Sequence, residues 1–88
     1  MVEETVVLTN KVGLHARPAA LLVKTVNGFT SQVTIVKDGK SINAKSMLSI
    51  MGAAIKQGDS VTIQVNGADE QEAISAITGL IRSGFGEN

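Results

Sequence analysis

The hydrophobic period of this chain switches repeatedly between two and about 3.6, and that alternation restricts the fold more than any other feature. Residues 5–9 place Val6 and Leu8 on one side, the pattern of a strand. Asn10-Lys11-Val12-Gly13 interrupts it. Ala19, Leu22, Val23 and Val26 then follow at i, i+3, i+4 and i+7, one face of a helix. Pro18 fits only near a helix start, where its missing N–H costs nothing, so this helix begins near residue 16. Asn27-Gly28 stops it. Residues 31–37 alternate again around Val33 and Ile35. Asp38-Gly39 is a two-residue hairpin signal, and residues 40–44 return with Ile42 and Ala44 inward.

Residues 46–53 suit about two helical turns, with Ser46 as N-cap and with Ile50 and Ala54 as core candidates. After the turn Gln57-Gly58-Asp59, residues 60–65 put Val61, Ile63 and Val65 on one side. Asp69, Glu70 and Glu72 crowd the first turn of a last helix, where carboxylates complement the helix dipole. Its expected stripe is Ala73, Ile77 and Leu80 with Ile74 and Ile81. Arg82 falls in the last turn, and Gly84 ends the helix. The order is β-α-β-β-α-β-α, an α+β chain in two layers. A four-stranded antiparallel sheet would carry three helices on one face and leave the other wet.

The 88 residues suffice for one domain, 1–88, without linker or repeat. Eight basic and eight acidic residues cancel, which gives no reason to expect nucleic acid. Phe29 and Phe85 are the only aromatics, too few to stack bases. Cysteine is absent, and one histidine cannot build a multi-histidine metal site. No leader pattern is visible at the start, and no apolar run approaches the roughly 20 residues that span a bilayer. The expectation is a soluble cytoplasmic domain with no membrane insertion.

Chemistry concentrates in Gly13-Leu14-His15-Ala16-Arg17-Pro18-Ala19. His15, the only histidine, falls where the chain enters the first helix. A helix N-terminus presents free N–H groups and partial positive charge, which favour a dianionic group held on a ring nitrogen. Arg17 can add charge-assisted hydrogen bonds to phosphoryl oxygens, and Gly13 allows a tight turn beside the ring. Taken alone, such a histidine is ordinary surface, Arg17 a solvated charge and Pro18 a helix start.

Together these residues resemble the active-site motif of HPr, the histidine-containing phosphocarrier family of the bacterial phosphoenolpyruvate:sugar phosphotransferase system. Asn43-Ala44-Lys45-Ser46-Met47-Leu48-Ser49-Ile50-Met51 is similar to the family's regulatory serine segment. Asp38-Gly39-Lys40, Lys56-Gln57-Gly58 and Gly67-Ala68-Asp69-Glu70 agree as well, so the resemblance spans the chain. It implies an open-faced β-sandwich. It implies a carrier, not an enzyme, that takes a phosphoryl group from phospho-enzyme I on Nδ1 of His15. Arg17 supports the group, and IIA domains of sugar permeases receive it. No metal, nucleotide or organic cofactor is implied, and the carrier is expected to be a monomer. Val12 and Ala20 depart from the small polar residue and the threonine of many relatives. A regulatory homologue lacks the active histidine, and the presence of His15 argues against that reading.

Ser46 is read both as a helix cap and as a kinase target, and the two are compatible. In HPr of low-GC Gram-positive bacteria the matching serine is modified by HPr kinase/phosphorylase, and the product binds the catabolite-control repressor. Lys45-Ser46-Met47-Leu48 with Met51 looks more like those members than like enteric ones. Met47, Leu48 and Met51 form an i, i+1, i+4 face that a two-turn helix cannot bury together with Ile50. The resemblance implies that they join the docking surface for enzyme I and IIA domains, rimmed by Lys24, Lys45 and Arg17. Two other readings remain: a regulatory module acting through Ser46 alone, and a small-ligand sensor in which His15 is incidental.

Overall fold

The computed structural model describes residues 1–86. It contains β1 (Val2–Val7), α1 (Ala16–Asn27), β2 (Gln32–Lys37), β3 (Lys40–Asn43), α2 (Met47–Gly52), β4 (Ser60–Asn66) and α3 (Glu70–Arg82), then a 3-10 turn at Gly84–Gly86. The strands form one antiparallel sheet in the order β1-β4-β2-β3. The expected open-faced α+β sandwich is what the chain builds. Its core is the alternating face of the central strands, Val33 and Ile35 on β2 beside Val61, Ile63 and Val65 on β4, all buried. Leu22 and Val26 of α1 and Ile77 and Ile81 of α3 cover it, each almost wholly enclosed. Truncating one of these to alanine costs roughly 2–5 kcal/mol in a core of this kind. The opposite face is mixed: the Thr5 and Thr62 hydroxyls hydrogen-bond across β1 and β4 at 2.9 Å, Gln64 reaches Glu3 beside them, and the apolar Val7 is exposed.

Several local details differ from the pattern reading. Strand β1 begins at Val2, because Glu4 takes a core-side position between Val2 and Val6 and pairs with Arg82 of α3. A charged residue there hides the alternation. Leu8 is buried beyond the strand end, its N–H on the Asp59 carbonyl at 3.0 Å and its own carbonyl taking the Gly58 N–H at 2.8 Å. Ala54 is not core. It is exposed at φ +53, and Ile55 turns inward instead. In α3 the buried stripe takes Thr78 and leaves Leu80 half-buried. The Thr78 hydroxyl is satisfied within the helix, donating to the Ile74 carbonyl at 2.8 Å. Phe85 is buried at the closing turn with φ +58.

Asp69 does more than meet a helix dipole. It stands at the N-cap of α3 without capping it. Its carboxylate takes the Thr30 N–H at 2.8 Å, the Ser31 N–H at 2.9 Å and the Ser31 hydroxyl, tying α3 to the turn before β2. These donors, the Ser31 hydroxyl foremost and then the Thr30 amide, hold its pKa down at about 2 against an ordinary 3.8. The folded state therefore binds this proton less tightly than the unfolded chain. The stabilisation is complete above the unfolded value and drains away as pH falls from 3.8 toward about 2. Asp69→Ala is expected to lower the melting temperature by several degrees at neutral pH. Its deficit against wild type should narrow through that acid window, as read from thermal melts over a pH series; a constant deficit would contradict the linkage.

Candidate functional site

The segment between β1 and α1 lies against the loop that precedes β4. Asn10 is fully buried, and its Nδ2 donates to the Gly13 carbonyl at 2.7 Å. The Gly13 N–H returns to the Asn10 carbonyl at 3.1 Å, closing a tight turn. Gly13 sits at φ +60, and a Cβ there would stand 2.6 Å from the Ile55 carbonyl oxygen and 2.7 Å from Lys56 Cα. Only glycine fits without moving backbone. The next residue, Leu14, is buried and donates its N–H to the same Ile55 carbonyl at 2.9 Å. Gln57 adds a bond from Nε2 to the Thr9 carbonyl at 3.2 Å.

His15 follows this anchored pair and is exposed. It is the N-cap of α1, extended at φ −77 and ψ −174, and its carbonyl accepts the Ala19 N–H at 2.8 Å. Its side chain makes no capping bond. The N–H groups of Ala16 and Arg17 open the helix without intrahelical acceptors, and Pro18 contributes none. An imidazole uncommitted to the fold thus stands at the positive end of a three-turn helix, with the Arg17 side chain exposed in the same first turn. No acidic residue occupies that turn. Arg17, Ala20, Leu21 and Lys24 are exposed at i, i+3, i+4 and i+7, one stripe along α1. Lys24 lies about 10 Å along the axis from Arg17 by helical rise, at the far end of that stripe.

Ser46 caps α2, its Oγ accepting the Ser49 N–H at 3.2 Å. Helix α2 packs on α1 and β3. Of the three residues expected to stay exposed, Leu48 is 85% and Met51 40% accessible, while Met47 is half-buried against the core. Met47 opens the helix, and its partly buried side chain packs against the core. Lys45 is not a free rim charge: its ammonium donates to the Phe29 carbonyl at 3.1 Å. Val12 and Leu21 are exposed apolar residues as well, as are Met1 and Val7. Leu21 was detectable, since it falls off the 19/22/23/26 face of its helix. An open groove of about 430 Å³ lies between β3 and α2, its lining including Lys37, Lys40, Asn43 and Ser49 but neither His15 nor Arg17. Among the described residues no three metal-ligating side chains gather, and no helix is long and apolar enough to cross a membrane.

This construction has counterparts in known proteins. A family model described as the PTS HPr component phosphorylation site matches residues 2–83. The chain belongs to the HPr phosphocarrier family. Among curated relatives, the HPr-like protein Crh of Halalkalibacterium halodurans is 49% identical over 81 residues, covering 92% of this chain and 96% of the relative. Among solved structures, HPr-C-His from Thermoanaerobacter tengcongensis superposes with a TM-score of 0.97 at 50% identity, covering 100% of this chain and 99% of that one. An HPr dimer from the same organism gives a TM-score of 0.79 at 50% identity over 99% of this chain and all of that one.

Proposed function

We propose that this protein is a phosphoryl carrier, charged on His15 by phospho-enzyme I and discharged to IIA domains of sugar permeases in the cytoplasm. The observation that carries this reading is His15 itself: an exposed imidazole at a helix N-terminus, unspent on capping, behind a loop held by Gly13 and Leu14. A lone pair on Nδ1 attacks phosphorus, and the nitrogen–phosphorus bond forms as the donor's bond to phosphorus breaks. The Ala16 and Arg17 amides and the Arg17 guanidinium face the oxygens that carry the developing charge. The same contacts must not hold the group too firmly, because the carrier gives it up in the next step. The protein turns over nothing by itself and works as a monomer, which sedimentation at micromolar concentration would check against the dimer known in a relative.

The test is incubation with phosphoenolpyruvate and enzyme I, followed by intact mass and peptide mapping. One acid-labile phosphoryl group on His15 is expected, and none overturns the assignment. Arg17→Ala should fold within about 0.5 kcal/mol of wild type, because the side chain is exposed. Its phosphoryl transfer should be slower by about tenfold or more, the scale of losing one preorganised donor. A collapse in thermal stability would make Arg17 structural.

A second role, regulation through Ser46, is favoured by the cap geometry. A phosphate on Oγ would carry about −1.5 to −2 charges at a helix N-terminus, so modification leaves the fold intact. It would also stand two residues from the exposed Leu48, where a partner must approach. HPr kinase/phosphorylase and a catabolite-control repressor are the partners this role calls for. Ser46→Asp is expected to retain the fold and to slow His15 phosphorylation about three- to tenfold at low salt, with recovery as salt rises. Equal rates at low salt would leave Ser46 as a helix cap alone.

A further inference from the structure

The loop that receives Gly13 and Leu14 is itself held by an ion pair that neither the His15 motif nor the serine segment contains. Lys37, the last residue of β2, has its ammonium 3.1 Å from Asp59 Oδ2 and donates to the Ala54 carbonyl at 3.3 Å. Asp59 Oδ2 also accepts the Lys56 N–H at 2.8 Å. Both side chains of the pair are partly buried, at 18% and 29% accessible, which sets it apart from a fully solvated surface contact. The Lys56 amide first and the Lys37 ammonium second hold the Asp59 carboxyl below its ordinary pKa, so it stays charged at neutral pH.

The bonded groups bracket one peptide carbonyl. Ala54 is gripped on one side of Ile55 and Lys56 on the other, and the Ile55 carbonyl between them accepts the Leu14 N–H at 2.9 Å. Ala54 is held at φ +53, which alanine adopts reluctantly. The grip from Lys37 opposes the relaxation of that residue. We infer that Lys37 and Asp59 are positioning residues for phosphoryl transfer: their bridge fixes the Ile55 carbonyl, which fixes Leu14 and therefore the backbone that presents His15. This rests on the carrier reading of His15, and it assigns the β2–β3 hairpin a part in the site that its place in sequence does not suggest.

The experiment compares Lys37→Met, Asp59→Asn and Lys37→Arg with Lys40→Met, which removes an equal charge from the same hairpin at an exposed side chain that bonds none of the described residues. Two readouts are taken, the Leu14 amide exchange rate by NMR and the rate of His15 phosphorylation against enzyme I concentration. Lys37→Met and Asp59→Asn should speed Leu14 exchange about tenfold, a local opening of the kind that loss of a supporting contact allows. They should also lower the maximal transfer rate about three- to tenfold with the half-saturating enzyme I concentration unchanged, as misplacement of a reacting group does. Lys37→Arg should restore both, and Lys40→Met should alter neither. Leu14 exchange in both test variants equal to that of Lys40→Met overturns the bridge, whatever the transfer rates. Faster exchange with unchanged transfer overturns the positioning role. Wild type that takes up no phosphoryl group would instead refute the carrier reading, which the exchange measurement does not depend on.

Discussion

His15→Ala is expected to lose phosphoryl uptake entirely and to keep its fold. The loss should be total because no other histidine exists in the chain to take over. The fold should survive because the imidazole does no structural work: it is exposed and caps nothing, and the carbonyl that begins α1 belongs to the backbone. An exposed side chain without partners is worth about 0.5 kcal/mol or less in either direction. The measurement is paired, with intact mass after incubation with phosphoenolpyruvate and enzyme I, and a thermal melt on the same sample. Uptake at the wild-type level would falsify the carrier assignment. Loss of uptake together with a large drop in melting temperature would move His15 from chemistry to scaffold. The contrast matters for the regulatory alternative too, since a module acting only through Ser46 would not register this substitution.

The features legible in the sequence were those set by local periodicity. Val61, Ile63 and Val65 alternate because β4 is central, with a neighbour on each edge and a helix layer over one face. Leu22 and Val26 mark α1, and the type of Ser46 with the short apolar run behind it identifies a cap. Where a long-range partner decides the conformation, the pattern is silent. Glu4 breaks the alternation of β1, and its reason, Arg82, lies at the other end of the chain. Ser31 and Asp69 are ordinary loop residues until folding places them together. Ala54 follows Ile50 by one helical turn, a spacing that suggests core, yet α2 ends at Gly52 and the chain turns left-handed instead. The site divides along the same line. The His15 motif is contiguous and could be read; the loop supporting it pairs residues 8–14 with 55–59 and could not.

Gly13→Ala carries the second large effect, because it strikes that unread contact. The added methyl would start 2.6 Å from the Ile55 carbonyl oxygen and 2.7 Å from Lys56 Cα, both backbone atoms that no rotamer change can clear. The residue would also have to hold φ +60 as an alanine, a conformation that alone costs about 1–2 kcal/mol. Relief requires residues 13–14 and 55–56 to separate, which stretches the Leu14–Ile55 hydrogen bond and withdraws Leu14 from the core. Strain and lost packing together should cost about 2–4 kcal/mol, or about 10–30 °C in melting temperature for a domain of this size. Where folded protein persists below that midpoint, His15 phosphorylation should still be slower, because the backbone leading into the N-cap has moved while the imidazole and Arg17 are intact. A melt close to wild type would mean that the two loops part easily. That result would weaken both the close-contact account of Gly13 and the bridge that Lys37 and Asp59 hold beneath it.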